Sequence, residues 1–265
     1  MINSNSPDIL KEIVRIKKNR VIDTKKTLPL NSLKNMINFD EKPLNFAGCL
    51  MGDRIRVIAE VKRASPSKGL FDGAIDARSL ARIYADNGAA AISILTNEDH
   101  FRGAIEDLEN ARSITYPIGI PLLRKEFIFD PYQIYEAKAF GADAVLLIVS
   151  MLDKNQIIEF MQIASELWLQ CLIEIHDESE LYIAIDCNAD IIGINNRNLR
   201  TFKTDLITTE QLAPLVPTDK IIVSESGIST RSDVERMNKA GANAILVGEY
   251  FIKSGDPGKA LRELI

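Results

Sequence analysis

The chain has 265 residues, 46% hydrophobic and 26% charged, with a formal net charge of −5, the balance of a globular chain able to bury a large core. No broad basic surface is available to neutralise a phosphate backbone, which argues against nucleic acid as a partner. The three cysteines, Cys49, Cys171 and Cys187, form no C-x-x-C pair, and the two histidines, His100 and His176, are too few for a His-rich cluster. A disulfide framework or zinc site is therefore not expected, and a reducing compartment fits better.

In chain order, the N-terminal MINSNSPDIL has no apolar run of signal-peptide length. The longest apolar run, at 144–149, is too short to span a bilayer, so the expectation is a cytoplasmic protein with no membrane partner. Residues 7–26 read as an amphipathic helix with Lys17, Lys18 and Arg20 on a solvated face, and 28–37 as a second short helix. Eight apolar, mostly β-branched runs then follow, near 56–61, 90–95, 119–123, 144–149, 170–175, 191–194, 220–223 and 244–247. Helical patterns such as 130–140 and 154–167 lie between them.

A repeat supports the count. Gly88-Ala89-Ala90-Ala91-Ile92 resembles Gly141-Ala142-Asp143-Ala144-Val145 and Gly241-Ala242-Asn243-Ala244-Ile245, each a helix-ending glycine before a buried strand. The glycines are 53 and 100 residues apart, which two and four βα units of about 25 residues would give. Near-continuous apolar strands imply a parallel sheet covered on both faces, and eight alternating units imply a closed (β/α)8 TIM barrel. An open doubly wound sheet is the rival architecture. No Pro/Gly/Ser-rich linker divides the chain, so one domain over 1–265 is expected. Residues 1–50 form its N-terminal helical extension, capping the barrel bottom or covering its top.

Barrel active sites sit at the C-terminal strand ends, where this sequence concentrates its polar residues. Glu60 and Lys62 are two apart at the end of the first strand and so share a face. Taken alone they could be a structural ion pair plugging the barrel. Lys125 and Glu126 end the third strand, Glu174 interrupts the fifth, Asn195, Asn196 and Arg197 end the sixth, and Ser224, Glu225, Ser226 and Gly227 end the seventh. Glu60, Glu174 and Glu225 set against Lys62, Lys125 and Arg197 suit acid–base chemistry on an anion, because neighbouring carboxylates keep a lysine protonated. Ser226-Gly227 after the seventh strand and Gly248 after the eighth stand where many barrels bind phosphate through backbone N–H groups. For each glycine alone, simple turn formation is the competing explanation.

The stretch IAEVKRASPSKG at 58–69 resembles the signature of the indole-3-glycerol-phosphate synthase family. The resemblance continues through DILKEIVRIKKNR, LLRKEFIFDPYQIYEAKAFGADAVLLI, LIEIHDESEL, IIGINNRNL and VSESGI in order. It implies closure of an indole ring on 1-(2-carboxyphenylamino)-1-deoxyribulose 5-phosphate, giving indole-3-glycerol phosphate, carbon dioxide and water, in tryptophan biosynthesis and without a metal or organic cofactor. A phosphorylated small molecule is then the partner, and other enzymes of that pathway are admitted as further ones.

The resemblance also implies a catalytic set of Glu60, Lys62, Lys125, Glu174, Asn195 and Glu225. Lys125 is the general acid toward the ketone oxygen. Lys62 contacts the anionic substrate and shares the acid role, and Glu60 holds Lys62 and joins the same acid–base steps. Glu174 transfers protons during loss of water, Asn195 positions substrate, and Glu225 orients the lysines. Ser65, Arg197 and Ser226 fall in the substrate-binding set, and Gly227, Gly248 and Glu249 in the phosphate-binding set. The sequence departs from the family pattern at Glu126, where aspartate is usual, at His100-Phe101-Arg102-Gly103-Ala104, and at Tyr250-Phe251. A phosphoribosylanthranilate isomerase or a tryptophan synthase α-subunit is the nearest enzyme alternative, but neither accounts for the Glu-x-Lys-x-x-Ser-Pro-Ser segment. A catalytically dead scaffold barrel would have lost rim charges that are all present here.

Overall fold

A computed structural model describes residues 8–65, 69–71 and 75–265. Its eight barrel strands are β1 (Arg56–Val61), β2 (Ala91–Leu95), β3 (Leu122–Lys125), β4 (Ala144–Ile148), β5 (Gln170–Ile175), β6 (Ile191–Asn195), β7 (Ile221–Glu225) and β8 (Ala244–Val247). Each pairs in parallel with the next, and β8 pairs back onto β1 through Arg56↔Ala244 and its successors. That closure excludes the open doubly wound sheet. β2 and β4 are buried at every position, as strands must be when one face fills the barrel and the other meets helices.

The helices start where the sequence supplies caps. Asp130 and Gln133 form a reciprocal capping box before Pro131–Ala139, and Asp153 with Gln156 does the same for Lys154–Glu166. The third strand begins later than the apolar run suggests. Gly119 takes φ +75° to end the turn Tyr116–Ile118, and Pro121 has no N–H to give a ladder, so pairing starts at Leu122. At the other ends, β3, β6 and β7 run on to Lys125, Asn195 and Glu225. Their polar side chains are thus mounted on rigid sheet, with Asn195 and Glu225 partnered in register.

The N-terminal extension covers both ends of the barrel. Helix α1 (Asp8–Thr27) crosses the C-terminal mouth, and its Leu10 is buried in the wall of the cavity there. Lys17 does not lie on a solvated face. It is 5% exposed and pairs with Glu126 at 2.8 Å and Glu98 at 3.0 Å, because two carboxylates at the rim compensate its desolvation. Lys18 and Arg20 are exposed as expected, and Arg20 reaches Asp99 through two contacts of 2.6 Å. Helix α2 (Leu30–Met36) buries Leu33 in a small cluster with Val21 and Tyr132. Residues 44–50 close the opposite end. Leu44 N–H donates to Asp143 Oδ1 at 2.6 Å and Ala47 N–H to Gln170 Oε1 at 2.9 Å, at the starts of β4 and β5. Phe46 and Leu50 are fully buried above them. No described helix is long and apolar enough to cross a membrane.

Candidate active site

A cavity of about 490 Å³ opens at the C-terminal mouth, within the range of small-molecule sites. Glu60, Lys62, Lys125, Glu174, Asn195 and Glu225 all line it. So do Arg197, Ser226, Gly227, Gly248 and Glu249. Ser65 does not. It lies in a short hairpin of Ala64–Ser65 with Gly69–Leu70, its hydroxyl buried without a hydrogen-bond partner among the described residues. Pro66, Ser67 and Lys68 of the signature segment lie outside the described residues.

Lys125 is the centre of the charge cluster. Its Nζ donates to Glu174 Oε2 at 2.8 Å and lies 2.9 Å from Glu225 Oε2. Burial works against the ammonium, but Glu174, Glu225 and Glu60 outweigh it and raise the lysine's pKa. Burial also opposes the charged form of Glu174, yet Lys125 and His176 hold its carboxyl well below the usual range. Glu225 goes the other way. Burial pushes it up to about 7, with Glu174 and Glu60 adding to the shift against the opposing charge of Lys125. Two carboxylates on one lysine, driven apart by their surroundings, form a coupled acid–base unit. Lys62 and Glu60 form a second pair, Nζ to Oε1 at 2.7 Å, which their two-residue spacing on one strand face allows.

Two glycines make room for these acids. An ideal Cβ at Gly193, inside β6, would clash with Glu225 Oε1, and one at Gly248 would lie 2.7 Å from Glu60 Oε1. Gly193 was not among the residues singled out from sequence. Its signal is a glycine inside an otherwise apolar strand, the mark of a close approach. The apolar wall of Leu10, Leu95, Phe101, Phe127, Leu146 and Ile148 also went unread, because those residues look like ordinary core until the mouth is assembled. Phe101 and the divergent Tyr250 both face this cavity, whereas Phe251 is buried against Tyr84 with ring centroids 5.6 Å apart.

On the far side, Ser226 and Gly227 are consecutive left-handed residues, at φ +68° and +85°. For serine that conformation costs roughly 1–2 kcal/mol. It is held by Asn196, whose Nδ2 donates to Ser224 Oγ at 3.0 Å and to the carbonyls of Glu225 at 3.0 Å and Ser226 at 3.1 Å. Asn196 thus braces the loop, while Asn195 faces the cavity. Gly248 precedes the short helix Glu249–Lys253. The Glu249 carboxylate is 2.9 Å from Lys253 Nζ and 3.8 Å from Arg197 Nη2, so the local negative charge is balanced. Among the described residues no group of three His, Cys, Asp or Glu side chains is placed to hold a metal ion.

By fold the chain is similar to 3-hexulose-6-phosphate synthase from Salmonella typhimurium, with a TM-score of 0.65 at 15% identity over 79% of this chain and 96% of that one. It is also similar to a mutant tryptophan synthase alpha-subunit from Pyrococcus furiosus, with a TM-score of 0.58 at 18% identity over 79% and 97%. At such identities the likeness concerns the barrel alone. By sequence it is 46% identical to the indole-3-glycerol phosphate synthase of Dehalococcoides mccartyi (strain CBDB1), over 100% of this chain and 98% of the relative. It is 44% identical to that of Alkaliphilus metalliredigens (strain QYMF), over 97% of each. The family model of indole-3-glycerol phosphate synthase matches residues 10–264. With almost its whole length so matched, the chain belongs to the indole-3-glycerol phosphate synthase family.

Proposed function

We infer that this chain closes the indole ring of 1-(2-carboxyphenylamino)-1-deoxyribulose 5-phosphate, releasing carbon dioxide and water and leaving indole-3-glycerol phosphate. The observation that carries the reading is Lys125, kept protonated between Glu174 and Glu225 inside a cavity that also offers an apolar wall. The reaction needs a proton on the ketone oxygen as the ring carbon bearing the carboxylate bonds to the ketone carbon. Loss of carbon dioxide returns an electron pair to the ring, and the new hydroxyl then leaves as water. Lys125 delivers the first proton, since a buried ammonium aimed at a developing alkoxide is both acid and electrostatic partner.

Glu174 is the base for the later steps because it stays ionised beside Lys125. Glu225 orients Lys125 and shares its proton. Lys62, tethered by Glu60, meets the substrate carboxylate and supports Lys125 as acid, while Asn195 and Arg197 position the sugar chain. The phosphate lies over Ser226, Gly227 and Gly248. There the backbone N–H groups, including that of Glu249, are the donors, and the Glu249 side chain remains with Lys253 and Arg197. Ser65 would approach the substrate from the hairpin after β1. The reaction itself requires no metal or organic cofactor. Three free cysteines suit a cytoplasmic enzyme, and other enzymes of tryptophan biosynthesis are the partners this reading admits.

The test is incubation of the purified chain with that substrate, following indole fluorescence and carbon dioxide together. Fluorescence with equimolar carbon dioxide supports the reading. An isomerase or a scaffold would release none.

A further inference from the structure

His176 follows β5 and lies half-buried between two carboxylates. Its backbone N–H donates to Glu180 Oε2 at 2.8 Å, and its Nδ1 lies 3.0 Å from the same oxygen. Glu180 stands in the first turn of helix Glu178–Asp186, whose N-cap Asp177 accepts the Glu180 N–H. The imidazole is therefore fixed to a capped helix rather than to a loop. Its other nitrogen, Nε2, faces Glu174 Oε1 at 3.4 Å and makes no hydrogen bond among the described residues. A histidine present only to fill space would have both ring nitrogens satisfied. This one aims the unsatisfied nitrogen at the oxygen of Glu174 that Lys125 leaves unbonded.

His176 does not line the substrate cavity. It lines a second cavity of about 640 Å³ together with Glu180, whereas Glu174 lines only the first. The imidazole thus stands beside Glu174 without lining the cavity that holds Lys125. The charged groups about it are Glu174, Asp177 and Glu180 from its own strand, turn and helix, and Arg197, Arg200, Lys203 and Asp205 from the loop after β6 across the second cavity. Burial disfavours an imidazolium here, but the charges of Glu174 and Glu180, with the Glu180 contact at Nδ1, raise the pKa to about 10, so a cation backs Glu174 at neutral pH.

We propose that His176, aligned by Glu180, is a positioning residue that holds Glu174 as an aimed carboxylate for the proton transfers of ring closure. The inference rests on the activity given under Proposed function. Lys125 grips one oxygen of Glu174 and His176 restrains the other. Glu174 therefore stays ionised and pointed at the substrate even while Lys125 is giving up its proton.

The test uses the full chain with His176→Asn, Glu180→Gln, Glu180→Ala, Glu174→Gln and the double variant Glu174→Gln/His176→Asn. In His176→Asn, kcat falls by about 10–100-fold, less than the roughly 10²–10⁴ expected for losing an acid–base group itself, and KM changes by less than about threefold. The acidic limb of the kcat profile moves up by about one pH unit, because Glu174 loses a neighbouring cation. Glu180→Gln keeps an acceptor oxygen and most of the turnover, while Glu180→Ala approaches His176→Asn. In the Glu174→Gln background, His176→Asn adds no further loss, as for residues acting as one unit. An active wild type with kcat and acidic limb unchanged in His176→Asn overturns the proposal, as do losses that multiply in the double variant. If His176→Asn does not fold by circular dichroism, Glu180→Ala against Glu180→Gln decides, equal turnover in the two being the contrary result. A wild type that fails to convert the substrate overturns the activity itself, and this proposal with it.

Discussion

Lys17 Nζ and Glu126 Oε2 lie 2.8 Å apart, with side chains 6% and 0% exposed. This buried pair fastens helix α1 to the residue next to Lys125. Glu126 also accepts from Thr96 Oγ1, Asn97 Nδ2 and the Phe127 N–H, so α1, β2 and β3 meet at one carboxylate. Burial pushes the Glu126 carboxyl up, but the charges of Lys17 and Arg124, with the hydrogen bonds from Lys17 and the Phe127 N–H, hold it below the usual carboxylate range. The Glu126 side chain is long enough to span to Lys17.

Lys17→Met is expected to loosen α1 over the mouth. Removing one partner of a buried pair costs roughly 3–5 kcal/mol, and the three remaining donors to Glu126 bring the loss toward the lower end. KM should rise by about tenfold while kcat at saturation stays within a few-fold, since α1 excludes water and contributes Leu10 but no proton. Urea denaturation and steady-state kinetics read both. An unchanged KM in a folded variant would show that α1 does not help bind substrate.

Gly193→Ala should lower kcat strongly in a folded protein. The new methyl would clash with Glu225 Oε1, and moving that carboxylate misaligns Lys125, where a shift of about 1 Å can cost about 10²-fold. Turnover near wild type would mean that Glu225 does not set the position of Lys125.

Glu225 also makes stability depend on pH. Its carboxyl is raised from the usual glutamate value of 4.5 to about 7 by burial, so between these values the folded state binds more protons than the unfolded one. This group's contribution is therefore greatest at low pH and is lost as pH rises toward 7. Glu174 is shifted down by Lys125 and acts oppositely, contributing stability that is lost on acidification. Glu225→Gln removes the first effect alone. The variant should gain denaturant midpoint relative to wild type at pH 8 more than at pH 5, with loss of turnover, a site-specific trade of stability for function. A larger penalty at pH 8 than at pH 5 would contradict the assignment.

A sulfate or phosphate ion soaked into crystals should bind on backbone N–H groups near Gly227 and Gly248, beside the left-handed Ser226. A phosphate-bearing substrate analogue whose phosphate lies in another sector of the mouth would place the site elsewhere.

The barrel was legible because its strands are apolar on both faces, so β1, β5 and β8 match the runs read from sequence at 56–61, 170–175 and 244–247. β3 slipped because Gly119 and Pro121 are apolar by type but not by backbone. The polar rim residues were legible because charges ending apolar strands stand out. What stayed hidden depends on partners far along the chain. Lys17 reads as solvent-facing until Glu126 is seen beside it, Gly193 reads as filler until Glu225 turns toward it, and His176 reads as a lone histidine until Glu174 and Glu180 close on either side.

The central claim is that Lys125 is the proton donor for ring closure, and the most direct measurement is turnover and substrate binding by Lys125→Met beside wild type. The account predicts a folded variant with kcat reduced by about 10²–10⁴ and substrate Kd within about tenfold. Wild-type-like indole fluorescence and carbon dioxide release from that variant would contradict it.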